Sequence, residues 1–393
     1  MELREQIQSV MERAVEECLV AGVNFLVEQD GEEVLYAQAG MASRESGRQM
    51  SRDTIFRLYS QTKPVTAAAV MLLMERGEVD LFQSVGEFLP AYRNLKVAGR
   101  DGSLSCADRP LTLHDLLGMT SGLVYPDGVT PSGKAAAVVY EEAVSRLYTD
   151  HEMTTAELAE RLAEGPLAFT PGSSWQYGTS ADVLGAVVEA VTGKRFSEFL
   201  AEEIFRPLGM EDTGFWVPRE KRHRLAEAYE TVTDDKGKAG FVHYTGDNLA
   251  VCNRMDHEPA YAAGGAGLVS TLEDYRKFAR MLLNGGSFEG KRILKPGTVR
   301  FMTGGELSAD QQRSFDNWVG LNGFSYCSLM RVCRNPARAG MQVRWGEYGW
   351  DGWLGMYFAN FPEERMTILM GAQKKDSGTF SLTRKLRNLV LGE

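Results

Sequence analysis

Ser60 and Lys63 stand three residues apart in Leu58-Tyr59-Ser60-Gln61-Thr62-Lys63-Pro64, and the eight residues 67–74, Ala-Ala-Ala-Val-Met-Leu-Leu-Met, continue as strong helix formers. On a helix, side chains at i and i+3 are neighbours with Cβ atoms roughly 5–6 Å apart. The amine of Lys63 can therefore reach the hydroxyl of Ser60. A hydroxyl is a poor nucleophile until a base takes its proton, and free N–H groups at a helix start can hold the charge that develops on an attacked carbonyl. This is the only Ser-x-x-Lys in the chain. A chain of this length shows roughly one such spacing by chance, so the motif alone leaves open a plain capped helix start.

The helix that positions the pair is apolar on nearly every side, which makes it central and buried. Pro64 falls in the first turn, where a missing N–H costs little, and Gly77 is a natural stop. A serine–lysine pair without a catalytic histidine needs a second base. The candidate is Tyr177, which Pro171-Gly172-Ser173-Ser174-Trp175-Gln176-Tyr177 sets on a loop before the apolar helix 181–192. A phenol with pKa about 10 acts as a base only where a cation favours the phenolate, and Lys63 is the expected cation. The other reading of Tyr177 is a packing aromatic with its hydroxyl capped.

Composition narrows the function classes. With 393 residues, 44% hydrophobic and 24% charged, the chain has the material for one large domain or two intimate ones. A net charge of −10, a pI near 5.3 and no basic cluster argue against nucleic-acid partners. The longest apolar run, 67–74, is too short to cross a membrane. Met1-Glu2-Leu3-Arg4-Glu5 opens no apolar run, so no secretory signal is read and a cytoplasmic location is expected. Cys18, Cys106, Cys252, Cys327 and Cys333 are scattered without a Cys-x-x-Cys pair and read as reduced thiols. His114, His151, His223, His243 and His257 show no metal spacing and read as surface or capping residues. No metal or cofactor is expected.

Periodicity places the elements. An amphipathic helix over 3–19 precedes strands 23–29 and 34–39, joined at Asp30-Gly31. Helices follow over 135–148, 154–164 with Thr154 as cap, and 181–192. Residues 226–260 lack a clear period and read as a loop or hairpin excursion near a site. A helix over 272–283, strands over 324–333, 357–361 and 366–371, and a closing helix over 380–391 complete the chain. The implied fold class is α/β (α+β), an antiparallel sheet built from both chain ends, flanked by helices, with an all-helical insertion. The expected domains are a discontinuous sheet domain, 1–77 and 215–393, and a helical domain, 78–214, with the site at their interface.

The Ser60–Lys63 segment with its following helix resembles the serine beta-lactamase and penicillin-binding-protein-like superfamily, in its class C beta-lactamase-like form. The likeness continues in Leu111-Thr112-Leu113-His114-Asp115-Leu116-Leu117-Gly118-Met119-Thr120-Ser121-Gly122-Leu123 and in Thr170-Pro171-Gly172 through Tyr177. It extends to Ile204-Phe205-Arg206-Pro207-Leu208-Gly209-Met210 and Gly264-Gly265-Ala266-Gly267-Leu268. Two positions depart from the pattern. Tyr348-Gly349-Trp350-Asp351-Gly352-Trp353 places Trp350 where the superfamily carries a cation, and Thr179 stands where it carries an asparagine. A tryptophan there is similar to the carboxylesterases of the beta-lactamase fold.

The resemblance implies a beta-lactamase/transpeptidase-like fold and hydrolysis of small carboxylic esters through an acyl-enzyme. Ser60 is the implied nucleophile, with Lys63 and Tyr177 moving its proton and Tyr177 activating the deacylating water. The backbone N–H groups of Ser60 and Trp353 are the implied oxyanion hole. Tyr125, Trp175, Trp350, Asp351 and Gly352 are the implied substrate-binding residues, and the partner is a small-molecule ester or amide. Two alternatives stay open: a beta-lactamase or D-amino-acid peptidase in which Arg344 replaces the missing cation, and a non-catalytic binding relative.

Overall fold

The computed structural model describes residues 2–392 apart from Arg100 and Val319. Its centre is an eight-stranded antiparallel sheet drawn from both ends of the chain. From the N-terminal end come β1 (Gly22–Gln29), β2 (Glu32–Ser43) and β3 (Arg48–Gln49). From the C-terminal end come β4 (Phe324–Cys327), β5 (Met330–Cys333), β6 (Tyr348–Asp351), β7 (Tyr357–Phe361) and β8 (Met366–Ala372). Their order is β4-β5-β6-β7-β8-β1-β2-β3. The two ends join between β8 and β1, in a register running from Val23 opposite Ala372 to Gln29 opposite Met366.

Both faces of β1 are covered, and its side chains alternate between two cores as a strand period of 2 requires. Val23, Phe25 and Val27 pack with Ile7 and Met11 of α1 (Leu3–Glu16), and with Leu382 and Leu386 of the C-terminal helix Ser381–Leu391. Leu26 faces the opposite core. There the sheet meets α2 (Lys63–Glu75), whose residues 63–73 are all buried, as its all-round apolar sequence requires. Three further helices of that side frame the site: α3 (Pro131–Arg146), α4 (Thr155–Leu162) and α5 (Ser180–Thr192).

A buried ion pair ties the C-terminal helix to the sheet. Arg387 and Glu347 are both fully buried, with Nη2 and Oε2 2.7 Å apart. Arg387 also donates to the Gln342 carbonyl at 2.7 Å and to the Tyr357 hydroxyl. Removing one partner leaves the other charge buried without compensation. Arg387→Met is therefore expected to lower unfolding stability by about 3–5 kcal/mol. Urea unfolding measures it, and a loss within ordinary surface-mutation scatter would show that Arg331, 3.9 Å from Glu347, suffices.

Several expectations are corrected. The stretch 324–333 is two strands, because Ser328 and Leu329 take φ of 46° and 61° and turn the chain without a glycine to signal it. The insertion is not all helical: Lys96–Ala98 pairs with Leu104–Cys106. Asp101 turns that ribbon by accepting from the N–H of Ser103 at 3.0 Å. Helix α3 starts earlier than the expected 135, because Pro131 sits in its first turn and Thr130 caps it by accepting from Gly133 N–H. Residues 226–260 do contain a hairpin, Ala228–Thr233 with Ala239–Tyr244. Among the described residues, no helix is long and apolar enough to cross a membrane.

Candidate active site

Ser60 sits in a short turn of 3-10 helix, Tyr59–Thr62, that feeds directly into α2. The preceding Tyr59 has φ of 45°, a left-handed conformation that a bulky residue holds only when its surroundings enforce it. The enforcement is visible. Leu58 N–H bonds the Leu268 carbonyl at 2.8 Å, Thr62 Oγ1 accepts from Leu268 N–H at 3.1 Å, and Tyr275 donates to the Gln61 carbonyl at 2.9 Å. From the other side, Gly352 lies so close that a Cβ there would stand 2.1 Å from the Leu58 carbonyl oxygen. Gly352 thus brings the end of β6 onto the serine turn.

Lys63 is fully buried, and its Nζ lies 3.1 Å from Ser60 Oγ, 3.0 Å from the Tyr125 hydroxyl and 2.7 Å from the Gly265 carbonyl. Burial pulls its pKa down to about 7, against the opposing pull of Asp182 and Asp351. Around neutrality the amine is thus partly uncharged. A neutral amine has two donors and one lone pair. Donation to Gly265 and Tyr125 leaves that lone pair for the Ser60 proton. The Gly265 carbonyl is positioned by Asp182 on α5, which accepts from Gly265 N–H at 2.9 Å and from the Tyr261 hydroxyl at 2.6 Å.

Tyr177 lines the same cleft as Ser60. Its ring sits 4.6 Å from Lys63 Nζ. The Trp350 indole N–H donates to its hydroxyl oxygen at 3.0 Å. Rings of Trp318 at 4.9 Å and of Tyr125 and Trp350 at 5.5 Å enclose it. In that apolar box burial pushes the phenol well above its ordinary value. Burial thus works against the expected phenolate, as it works against the charge on Lys63.

Beside Ser60 opens a cleft of about 730 Å³, lined by Tyr59, Tyr125, Tyr140, Tyr177, Trp318 and Trp353, with the carboxylates of Glu141, Asp247 and Asp351. No lysine or arginine side chain is among its described lining residues. Tyr125 and Asp351 line it as expected. Trp353 is its wall, with its ring 4.9 Å from Tyr59 and its indole N–H bonded to Asp376 at 2.6 Å. Trp175 and Trp350 are placed differently. Trp175, 6% exposed, lies behind Tyr177 against Phe315 and Tyr326, and Trp350, 2% exposed, backs the Tyr177 hydroxyl. Both support the tyrosine from behind. Thr179 is fully buried and its hydroxyl has no hydrogen-bond partner among the described residues. Arg344, the expected substitute cation, is held by Glu364 at 2.9 Å and the Leu391 carbonyl at 2.8 Å, away from the cleft.

Sequence reasoning missed Asp182, Trp318, Tyr140 and Glu141. Acidic and aromatic residues are ordinary, and only tertiary packing brings α3 with Tyr140 and Glu141, α5 with Asp182, and the turn after helix Ala309–Phe315 with Trp318 to the site. The Tyr125 hydroxyl bond to Lys63 was equally invisible, since 62 residues separate them.

The comparisons with known proteins give the family and the fold. Esterase EstB of Burkholderia gladioli is 32% identical over 372 residues, covering 90% of this chain and 86% of its own. The solved structure of EstCE1, described as a hydrolase with promiscuous acyltransferase activity, superposes with a TM-score of 0.80 at 24% identity, covering 99% of this chain and 98% of that one. The octameric penicillin-binding protein homologue from Pyrococcus abyssi shares the fold with a TM-score of 0.71 at 21% identity, over all of this chain and 78% of its own. The family model described as Beta-lactamase matches residues 7–392, and the chain belongs to that family.

Proposed function

We propose that this protein is a serine hydrolase of small carboxylic esters, working through an acyl-enzyme on Ser60. The observation that carries the reading is the Trp350 indole, an uncharged donor 3.0 Å from the Tyr177 oxygen, in the place where the resemblance calls for a cation. A substrate carboxylate entering the cleft meets Glu141, Asp247 and Asp351 and no basic side chain of the described lining. A neutral ester meets aromatic rings. The likeness to an esterase at 32% identity supports the same reading.

In the proposed sequence, neutral Lys63 takes the Ser60 proton as Oγ bonds to the ester carbonyl carbon. The carbonyl oxygen becomes an oxyanion held by the backbone N–H groups of Ser60 and Trp353. Tyr177, still protonated, gives its proton to the alkoxide oxygen as the bond to the alcohol breaks, and is reprotonated at the expense of Lys63. Water then attacks the acyl carbon while the same groups carry its proton back to Ser60 Oγ.

The test compares p-nitrophenyl butyrate with benzylpenicillin. The ester is expected to show the higher kcat/KM by about 100-fold or more, since the penicillin carboxylate finds no partner for its charge. The reverse ranking would assign the site to a beta-lactamase or D-amino-acid peptidase. Absence of both turnover and covalent adduct would assign it to a binding relative.

A further inference from the structure

Outside the catalytic cleft, the loop that leaves the 228–244 hairpin brings a thiol, a carboxylate and an imidazole together. Cys252 Sγ, an Asp256 carboxylate oxygen and a His257 ring nitrogen lie within 4.8 Å of one another. We propose that Cys252, Asp256 and His257 form a binding site for a zinc-class transition-metal ion, through Sγ, Oδ1 and Nδ1.

The distances are those of a coordination polyhedron. Bonds of about 2.3 Å to sulfur and about 2.0–2.1 Å to nitrogen and oxygen, at tetrahedral angles, set edges of roughly 3.3 Å for N–O and 3.5 Å for S–O. The structure has 3.1 Å from His257 Nδ1 to Asp256 Oδ1 and 3.9 Å from Cys252 Sγ to the same oxygen. Small side-chain shifts close the remainder. Asp256 Oδ2 is taken by Arg254 Nε at 3.1 Å, which turns Oδ1 toward the thiol and the ring.

The surroundings supply what a metal-bound histidine needs. His257 Nε2 lies 2.6 Å from Glu152 Oε1, the carboxylate–histidine arrangement that fixes the tautomer and leaves Nδ1 for the ion. Glu152 is itself held, accepting from the N–H groups of Tyr148 and Ala260 at 3.2 Å and 3.1 Å. An entry path exists, because Tyr148, Glu152, Asp256 and His257 line an open cavity of about 810 Å³. Cys252 is 5% exposed, so its sulfur faces this cluster more than solvent. On binding, the ion replaces one proton, that of the Cys252 thiol, which is released to solvent, and takes the lone pair of His257 Nδ1. Thiolate and Asp256 carboxylate together balance a dication.

The spacing Cys-x-x-x-Asp-His does not announce itself in sequence, where the histidines were read against one another. The loop also lines the catalytic cleft with Asp247, Asn248 and Leu249. Tyr148 connects the two places: its hydroxyl lies 3.2 Å from Cys252 Sγ and donates to Asp247 at 2.9 Å. A bound ion therefore braces a segment that shapes the cleft, although the site stands whether or not the ester reading does.

The experiment uses the full chain stripped of metal, titrated with Zn2+ against a chromophoric chelator and, separately, with Co2+ followed by its thiolate charge-transfer absorption. One equivalent is expected to bind, with the cobalt band present. Cys252→Ser should remove the band and, like His257→Gln, weaken Zn2+ binding by about 100-fold, and Glu152→Gln should weaken it by about 10-fold. Cys18, Cys106, Cys327 and Cys333 remain in every variant as an internal control. His257 and Asp256 are partly exposed, so His257→Gln and Asp256→Asn keep the test available if Cys252→Ser does not fold. No stoichiometric Zn2+ uptake by the wild type, or an affinity unchanged in both Cys252→Ser and His257→Gln, overturns the assignment.

Discussion

Ser60→Ala lowers hydrolysis of p-nitrophenyl butyrate by an expected factor on the order of 10⁴ or more, with the fold unchanged. The size follows from what the hydroxyl does. In the proposed mechanism it is the atom that bonds to the acyl carbon, so without it Lys63 and Tyr177 have no nucleophile to activate. The fold survives because the turn is held by its backbone and neighbours: Leu58 and Thr62 through Leu268, and Gln61 through Tyr275. Circular dichroism and thermal unfolding of the variant check that half of the expectation. In the wild type, a burst of p-nitrophenol equal to the enzyme concentration, with a matching mass increase on the peptide carrying Ser60, would report the acyl-enzyme directly. Equal turnover by wild type and variant would return Ser60 to a capped helix start.

Lys63→Met is expected to cost about 10³-fold or more in kcat/KM, in the range lost when a positioned general base is removed. The wild-type pH profile carries the more specific signature. Burial sets the Lys63 ammonium to lose its proton at about 7. Below that value the amine is charged and cannot accept the Ser60 proton, so kcat/KM should fall about tenfold per pH unit and level off above it. Tyr177 is pushed well above the ordinary phenol range, so phenolate formation should bring no second limb below about pH 10. A profile flat from pH 5 to 9 would contradict the assignment of Lys63 as base. Stability gives an independent sign. The folded pKa lies below the roughly 10.4 of an unfolded lysine, so the unfolded chain binds more protons between the two values. The Lys63 contribution to wild-type stability is thus fully present above about 10 and declines as pH falls toward 7. Lys63→Met should lose that dependence, read as the difference in denaturant midpoint between the two proteins across that window.

Much of this was legible in the linear sequence because it depends on neighbours along the chain. The Ser60–Lys63 spacing needs only helical geometry, and the apolar run 67–74 needs only a core to enter. The apolar stretch 23–29 declares a strand, Asp30-Gly31 its turn, and 357–361 and 366–371 are strands by the same signal. Boundaries were less legible where a turn lacks glycine, as at Ser328 and Leu329.

What the sequence determined by itself was the Ser60–Lys63 spacing with its apolar helix and Tyr177 as a candidate partner, and the reading of Trp350 as a substitution rests on the family resemblance. Tertiary structure sets the environment of the two candidate bases, because pKa follows from burial and from partners that are distant in sequence. Burial lowers the Lys63 pKa to about 7 against the pull of Asp182 and Asp351. Burial also raises the Tyr177 phenol, although the Trp350 indole N–H works the other way. Tertiary structure also separated cleft from support, sending Trp175 and Trp350 behind the tyrosine and bringing Trp318 and Glu141 to the opening. It placed Cys252, Asp256 and His257 side by side as well. In each case the deciding quantity is a distance through space or an exclusion of water, and neither is a property of any local stretch of chain.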